Sequence, residues 1–117
     1  MKKIIIADDS FFQRKTLQDI LKDLGHESEA VSSGEELLEN LSASHDCIFL
    51  DLLMGGMSGI DVLKELKARG NETPVVVITA DIQKARREEV MSLGATAFMN
   101  KVVNKDELVS ILNNIFN

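Results

Sequence analysis

Five short apolar runs rich in β-branched residues alternate with five segments of helical periodicity along this chain. That alternation is the mark of an α/β protein built on a parallel sheet. The runs are Lys3 to Ala7, Glu27 to Val31, Cys47 to Leu50, Val75 to Thr79 and Thr96 to Asn100. Four are continuously hydrophobic, as strands covered by helices on both faces should be. The second, Glu27-Ser28-Glu29-Ala30-Val31, is more polar, which suits an edge strand that is partly solvated and discourages pairing with other chains.

The helices are placed by their stripes and their ends. Leu17, Ile20, Leu21 and Leu24 repeat at helical spacing and stop at Gly25, a residue suited to the left-handed position that closes a helix. Leu108, Ile111, Leu112 and Ile115 form the stripe of the last helix. Asn104 with Glu107, Ser33 with Glu36, and Ser58 with Asp61 have the three-residue spacing of an N-terminal cap. Gly70 and Gly94 are expected to stop helices three and four.

With 117 residues, 44% apolar and 27% charged, the chain has room for one globular core, and residues 1–117 are expected to form one domain. The balance of 13 Lys and Arg against 19 Asp and Glu, a formal charge of -6, is opposite in sign to what a phosphate backbone attracts, so no nucleic-acid partner is expected. Cys47, the only cysteine, sits in an apolar run and reads as a small buried hydrophobe. The run Ile4 to Ala7 is too short for a signal-peptide core, and no other stretch approaches a membrane span. A cytoplasmic location without membrane contact is the expectation.

Parallel α/β sheets bind ligands beyond the carboxyl ends of their strands, and here those ends carry reactive groups. Strand one runs into Asp8 and Asp9, strand three into Asp51, strand four ends at Thr79 and strand five runs into Lys101. A single Asp after a strand is commonly a helix cap or turn former. Acid, acid, hydroxyl and ammonium at four of the five ends form a set suited to one reaction. Three gathered carboxylates repel one another, and a hard divalent cation relieves that repulsion. Mg²⁺, which takes one or two carboxylates with waters and phosphate oxygens, fits Asp9 and Asp51 with Asp8 behind them. Lys101 and Thr79 suit phosphate oxygens, and the whole describes phosphoryl transfer to a carboxylate nucleophile.

The residues Asp8-Asp9-Ser10, the stretch Leu50-Asp51-Leu52-Leu53-Met54-Gly55-Gly56-Met57-Ser58-Gly59, the pair Thr79-Ala80, and Lys101 together resemble the receiver domains of two-component response regulators. The resemblance is CheY-like and covers essentially the whole chain. It implies a doubly wound, flavodoxin-like five-stranded parallel sheet of order 2-1-3-4-5. It implies that Asp51 is the phosphorylated aspartate, that Asp9, Asp51 and the backbone carbonyl of Leu53 bind Mg²⁺ directly, and that Asp8 does so through water. Thr79 and Lys101 would contact the phosphoryl oxygens. Phe98 would occupy the aromatic switch position, although a plain core aromatic is an equal reading of that residue.

The implied function is a single-domain response regulator. It would take a phosphoryl group from a sensor histidine kinase or a phosphotransfer protein and present a switched face of helix four, strand five and helix five to a downstream protein, in chemotaxis or a phosphorelay. It would catalyse only its own phosphorylation and dephosphorylation. A monomer without an attached output domain is expected. Competing readings are a docking receiver that is never phosphorylated, a haloacid dehalogenase-type phosphohydrolase, and a flavodoxin-like redox module. The adjacency of Asp8 and Asp9 and the lack of Trp and Tyr speak against the last two.

Two departures from the family pattern bear on loop geometry. Val102 stands where proline usually follows the lysine in a cis peptide, and the cost of a non-proline cis bond, about 2.5 to 4 kcal/mol, favours a trans or more mobile loop. Gly55 replaces a proline and Gly56 follows it, so the loop beside Asp51 should be less restrained. His26 and His45 are expected at the surface. Lys84, Arg86 and Arg87, followed by Glu88 and Glu89, read as a solvated helix face with local ion pairs.

Overall fold

The computed structural model describes every residue of the chain except Ile82. The strands are β1 (Lys3–Ala7), β2 (Glu27–Val31), β3 (Cys47–Leu50), β4 (Val75–Thr79) and β5 (Ala97–Asn100). The helices are α1 (Phe11–Asp23), α2 (Gly34–Asn40), α3 (Gly59–Ala68), α4 (Lys84–Ser92) and α5 (Lys105–Phe116). All neighbouring strands pair in parallel, in the order β2-β1-β3-β4-β5. The fold is the α/β doubly wound sheet expected, with the polar β2 at an edge.

Alternate residues along each central strand point to opposite faces, and the two halves of the core follow. Ile5, Ala7, Ile48, Leu50, Val75 and Val77 pack with Leu37 of α2, Val62, Leu63 and Leu66 of α3, and Val90 of α4. Ile4, Ile6, Cys47, Phe49, Val76, Ile78 and Met99 pack on the other face with Leu17 and Leu21 of α1 and Leu108 and Leu112 of α5. Both faces are therefore dry, and the central strands are apolar except at Lys3, which opens β1, and Thr79, which ends β4. Each buried Leu, Ile or Val contributes roughly 1.5 to 3 kcal/mol relative to exposure.

The helix ends match their sequence signals. Ser33 Oγ accepts from the Glu36 N–H at 3.1 Å, and Asn104 Oδ1 accepts from the Glu107 N–H at 3.0 Å. Ser58 and Asp61 complete a reciprocal box, each side chain accepting from the other's backbone N–H at 3.2 and 3.4 Å. Gly25 closes α1 at φ 85°, a backbone setting that costs a side chain-bearing residue energy but not glycine.

Three expectations change. Strand β5 begins at Ala97, one residue late, because Thr96 makes side-chain as well as backbone bonds to Val75: its N–H donates to Val75 O at 2.8 Å and its Oγ1 accepts from Val75 N–H at 3.2 Å. His45 is buried, not superficial. Its Nδ1 accepts from the Ser42 N–H at 3.1 Å, and its Nε2 lies 3.0 Å from Glu29 Oε1, so both ring nitrogens are satisfied and the ring can leave water. The Lys101-Val102 peptide is cis, not trans.

Candidate functional site

Backbone pairing gathers the reactive residues. The Asp51 N–H donates to Ala7 O at 3.0 Å, which continues the β1–β3 ladder one step and sets Asp51 beside Asp8. The Lys101 N–H donates to Thr79 O at 2.8 Å and does the same for β4 and β5. Asp8, Asp51 and Thr79 are buried, whereas Asp9 is exposed at the mouth. Because the strands are parallel, all their carboxyl ends meet on one edge, and residues up to 93 positions apart become neighbours there.

Lys101 Nζ bridges two carboxylates, 3.0 Å from Asp8 Oδ2 and 3.2 Å from Asp51 Oδ2. The other oxygens are held by backbone donors: Ser10 N–H to Asp8 Oδ1 at 2.9 Å, and Leu53 N–H to Asp51 Oδ1 at 3.2 Å. The Gly55 N–H donates to Asp9 Oδ2 at 3.3 Å, which ties the β3–α3 loop to the β1–α1 loop. Thr79 Oγ1 accepts from the Asp81 N–H at 3.1 Å.

Burial, reinforced by the neighbouring Asp8 carboxylate, pushes the Asp51 carboxyl above its ordinary value even though Lys101 pulls the other way. For Lys101, burial opposes the charge, but the hydrogen bond to Asp8 and the fields of Asp51 and Asp8 outweigh it and hold the ammonium above its ordinary value. One ammonium is thus set among three acids. Asp8, Asp9 and Asp51 each offer a carboxylate oxygen, all within 4.8 Å of one another. An all-oxygen donor set with surplus negative charge fits a hard cation such as Mg²⁺.

The sequence matches the family model of the response regulator receiver domain over residues 4–113. The chain belongs to the response regulator receiver domain family. It is 35% identical over 115 residues to the sensory/regulatory protein RpfC of Xanthomonas campestris, covering 94% of this chain and 16% of that one. It is 34% identical over 110 residues to the transcriptional regulatory protein CpxR of Escherichia coli, covering 94% and 47%. The chain therefore spans half or less of these relatives. Among solved structures, the chemotaxis protein CheY4 of Vibrio cholerae superposes with a TM-score of 0.88 at 28% identity, covering 99% of both chains. The response regulator TrrA of Thermotoga maritima, solved in complex with Mg²⁺ and BeF, gives 0.88 at 29% identity, covering 99% and 100%. The receiver family assignment displaces the haloacid dehalogenase and flavin readings.

All five strand-end residues singled out from the sequence, Asp8, Asp9, Asp51, Thr79 and Lys101, lie at this edge of the sheet. Leu53 lies in the β3–α3 loop with its side chain exposed. Phe98 is partly buried and packs against the α3-side core, with the Arg87 guanidinium 5.8 Å from its ring centre. Sequence reasoning missed Phe11 and Phe12, which follow Ser10 and are exposed by 72% and 78%. Their signal was available: Phe11 and Phe12 precede the stripe that starts at Leu17 and follow Ser10, whose Oγ caps α1 by accepting from the Gln13 N–H at 3.2 Å. It also missed Asp81, which joins Thr79 to Arg86 of α4 through its backbone N–H and its carboxylate.

Proposed function

We propose that this chain is a phosphorylation-switched receiver in which residues 1–117 act as one unit and Asp51 accepts the phosphoryl group. The observation that carries the reading is the Lys101 bridge between the two buried acids, Asp8 and Asp51. It positions a cation where charge must be offset when a third anionic group arrives. Asp51 is the nucleophile. One of its oxygens forms the new P–O bond in line as the P–N bond of a phosphohistidine, or the P–O bond of a small acyl phosphate, breaks and the leaving group keeps the electron pair. Asp9, Asp51 and the Leu53 carbonyl would hold Mg²⁺, with Asp8 beside them, and the bound ion would supply positive charge to offset that of the phosphoryl oxygens. Lys101 contacts those oxygens by its ammonium and Thr79 by its hydroxyl.

The switch follows from charge. A group of nearly two negative charges beside Thr79 draws its hydroxyl, and Phe98 moves inward into the space released. The face of α4, β5 and α5 then changes affinity for a downstream protein, by a shift between two populated arrangements. The donor is a sensor histidine kinase or phosphotransfer protein, and the output is protein contact in chemotaxis or a phosphorelay.

Intact mass after incubation with acetyl phosphate, with and without Mg²⁺, tests this reading. A metal-dependent gain of one phosphoryl group, absent in Asp51→Asn, is expected. Phosphorylation retained in that variant would overturn the assignment, and no gain with either acetyl phosphate or a phosphohistidine donor would leave a docking receiver.

A further inference from the structure

Helix α4 begins without a cap from its own N-cap side chain, that of Gln83, and its first turn carries Lys84, Arg86 and Arg87 and no acid. Those charges lie at the positive end of the helix dipole, where cations are unfavourable. Val90 is its only buried residue. Among the described residues, two consecutive arginines reach from this turn to residues that lead to the site.

Arg86 Nε donates to Asp81 Oδ2 at 3.2 Å, while its Nη1 is held by Glu89 Oε1 at 2.6 Å. The Asp81 carboxylate also accepts from the Gln83 N–H at 3.1 Å, and the Asp81 backbone N–H donates to Thr79 Oγ1 at 3.1 Å. Asp81 is therefore fixed from both sides, with its side chain only 15% exposed. Arg87 lies over the ring of Phe98, a cation–π contact with the other switch position.

We propose that Arg86 and Arg87 form a clamp from α4 onto the two switch positions, Arg86 through Asp81 to Thr79 and Arg87 directly to Phe98, that favours the unphosphorylated arrangement. The inference rests on the phosphorylation reading above and adds its regulation. Drawing the Thr79 hydroxyl toward a phosphoryl group strains the Asp81 N–H bond, and moving Phe98 inward leaves the Arg87 contact. The clamp opposes both movements. Since coupling between two sites is reciprocal, loosening the clamp must tighten the binding of a phosphoryl mimic. Arg86 is a positioning residue, acting through Asp81.

The test titrates beryllium fluoride with Mg²⁺ into the parent chain and into Arg86→Gln, Arg86→Lys and Arg87→Gln, following backbone amide resonances. Equal melting temperatures establish that the variants fold alike. The expected result is binding tightened about two- to fivefold in Arg86→Gln and Arg87→Gln, the scale of a partly exposed pair, with Arg86→Lys close to the parent. Hydrogen exchange at the Asp81 amide should also quicken in Arg86→Gln. Unchanged or weaker binding in Arg86→Gln, with the parent binding normally, would overturn the clamp alone. No binding by the parent would overturn the phosphorylation reading and the clamp with it.

Discussion

Replacing Gly59 by alanine probes the join between fold and site. Gly59 opens α3, and its N–H donates to Leu52 O at 3.0 Å, so the helix starts pressed against the residues that follow β3. A Cβ there would lie 2.6 Å from Leu52 Cα, 2.9 Å from Leu52 Cδ2, and closer still to the carbonyl oxygen of Asp51. The nearest atoms are backbone, and no rotamer change relieves them. Overpacking of this kind costs about 1 to 3 kcal/mol, against a gain of at most about 1 kcal/mol from alanine's helix propensity. The difference spans about 0 to 3 kcal/mol, and a mid-range net loss is about 1 to 2 kcal/mol. For a chain of this length that lowers Tm by roughly 4 to 8 °C.

Gly55 supplies the control in the same loop. It has no heavy atom within 4 Å of a built Cβ and no positive φ. Gly55→Ala should therefore be neutral or stabilise by up to about 1 kcal/mol, by restricting the unfolded chain. Calorimetry on both variants, with phosphorylation by acetyl phosphate followed in parallel, is the assay. Gly59→Ala should melt lower and phosphorylate more slowly, because the backbone displaced is that of Asp51 itself. A Gly59→Ala chain that melts at or above the parent would refute the close-approach argument.

Other expected outcomes concern buried groups. The raised pKa of Asp51 means that the folded state binds its proton more tightly than the unfolded state does. Its contribution to stability is full below the unfolded carboxylate value and is lost as pH rises through the folded value. Asp51→Asn should accordingly raise Tm at neutral pH without metal and flatten the pH profile, with the advantage shrinking when Mg²⁺ is added; a lower Tm would contradict this. Burial pushes the Cys47 thiol up to about 12. The native protein should therefore resist a thiol reagent at pH 8 and react fully once unfolded in guanidinium. His45→Ala should destabilise by about 1 to 3 kcal/mol, since it strands the part-buried Ser42 N–H and leaves a cavity; urea unfolding measures it.

Much of the architecture is legible in the residues because local and global preferences agree. The apolar runs mark the central strands, Glu27 to Glu29 mark an exposed edge, and Ser33, Ser58 and Asn104 mark helix starts that the structure contains. That Asp8, Asp9, Asp51, Thr79 and Lys101 share one edge is legible because a parallel sheet brings the carboxyl ends of its strands to one side. The burial of His45 is not legible in the sequence, since its neighbours there are polar and its partner Glu29 lies 16 residues away on β2. Sequence spacing shows only the surface pairing of Arg86 and Arg87, for a similar reason. Ion pairs at helical spacing, Lys84 with Glu88 and Arg86 with Glu89, are present as expected, but the reach to Asp81 and Phe98 depends on how α4 sits on the sheet.

The order of elements, the two-faced core and the polar groups at the strand ends follow from local pattern alone, because periodicity and strand-end position are properties of neighbouring residues. Which oxygens Lys101 bridges, which acids are buried, how close α3 comes to Asp51 and what Arg86 and Arg87 touch emerge only on folding. Those are distances between residues far apart in the chain. They are set by the packing of helices on a twisted sheet, which no local pattern encodes.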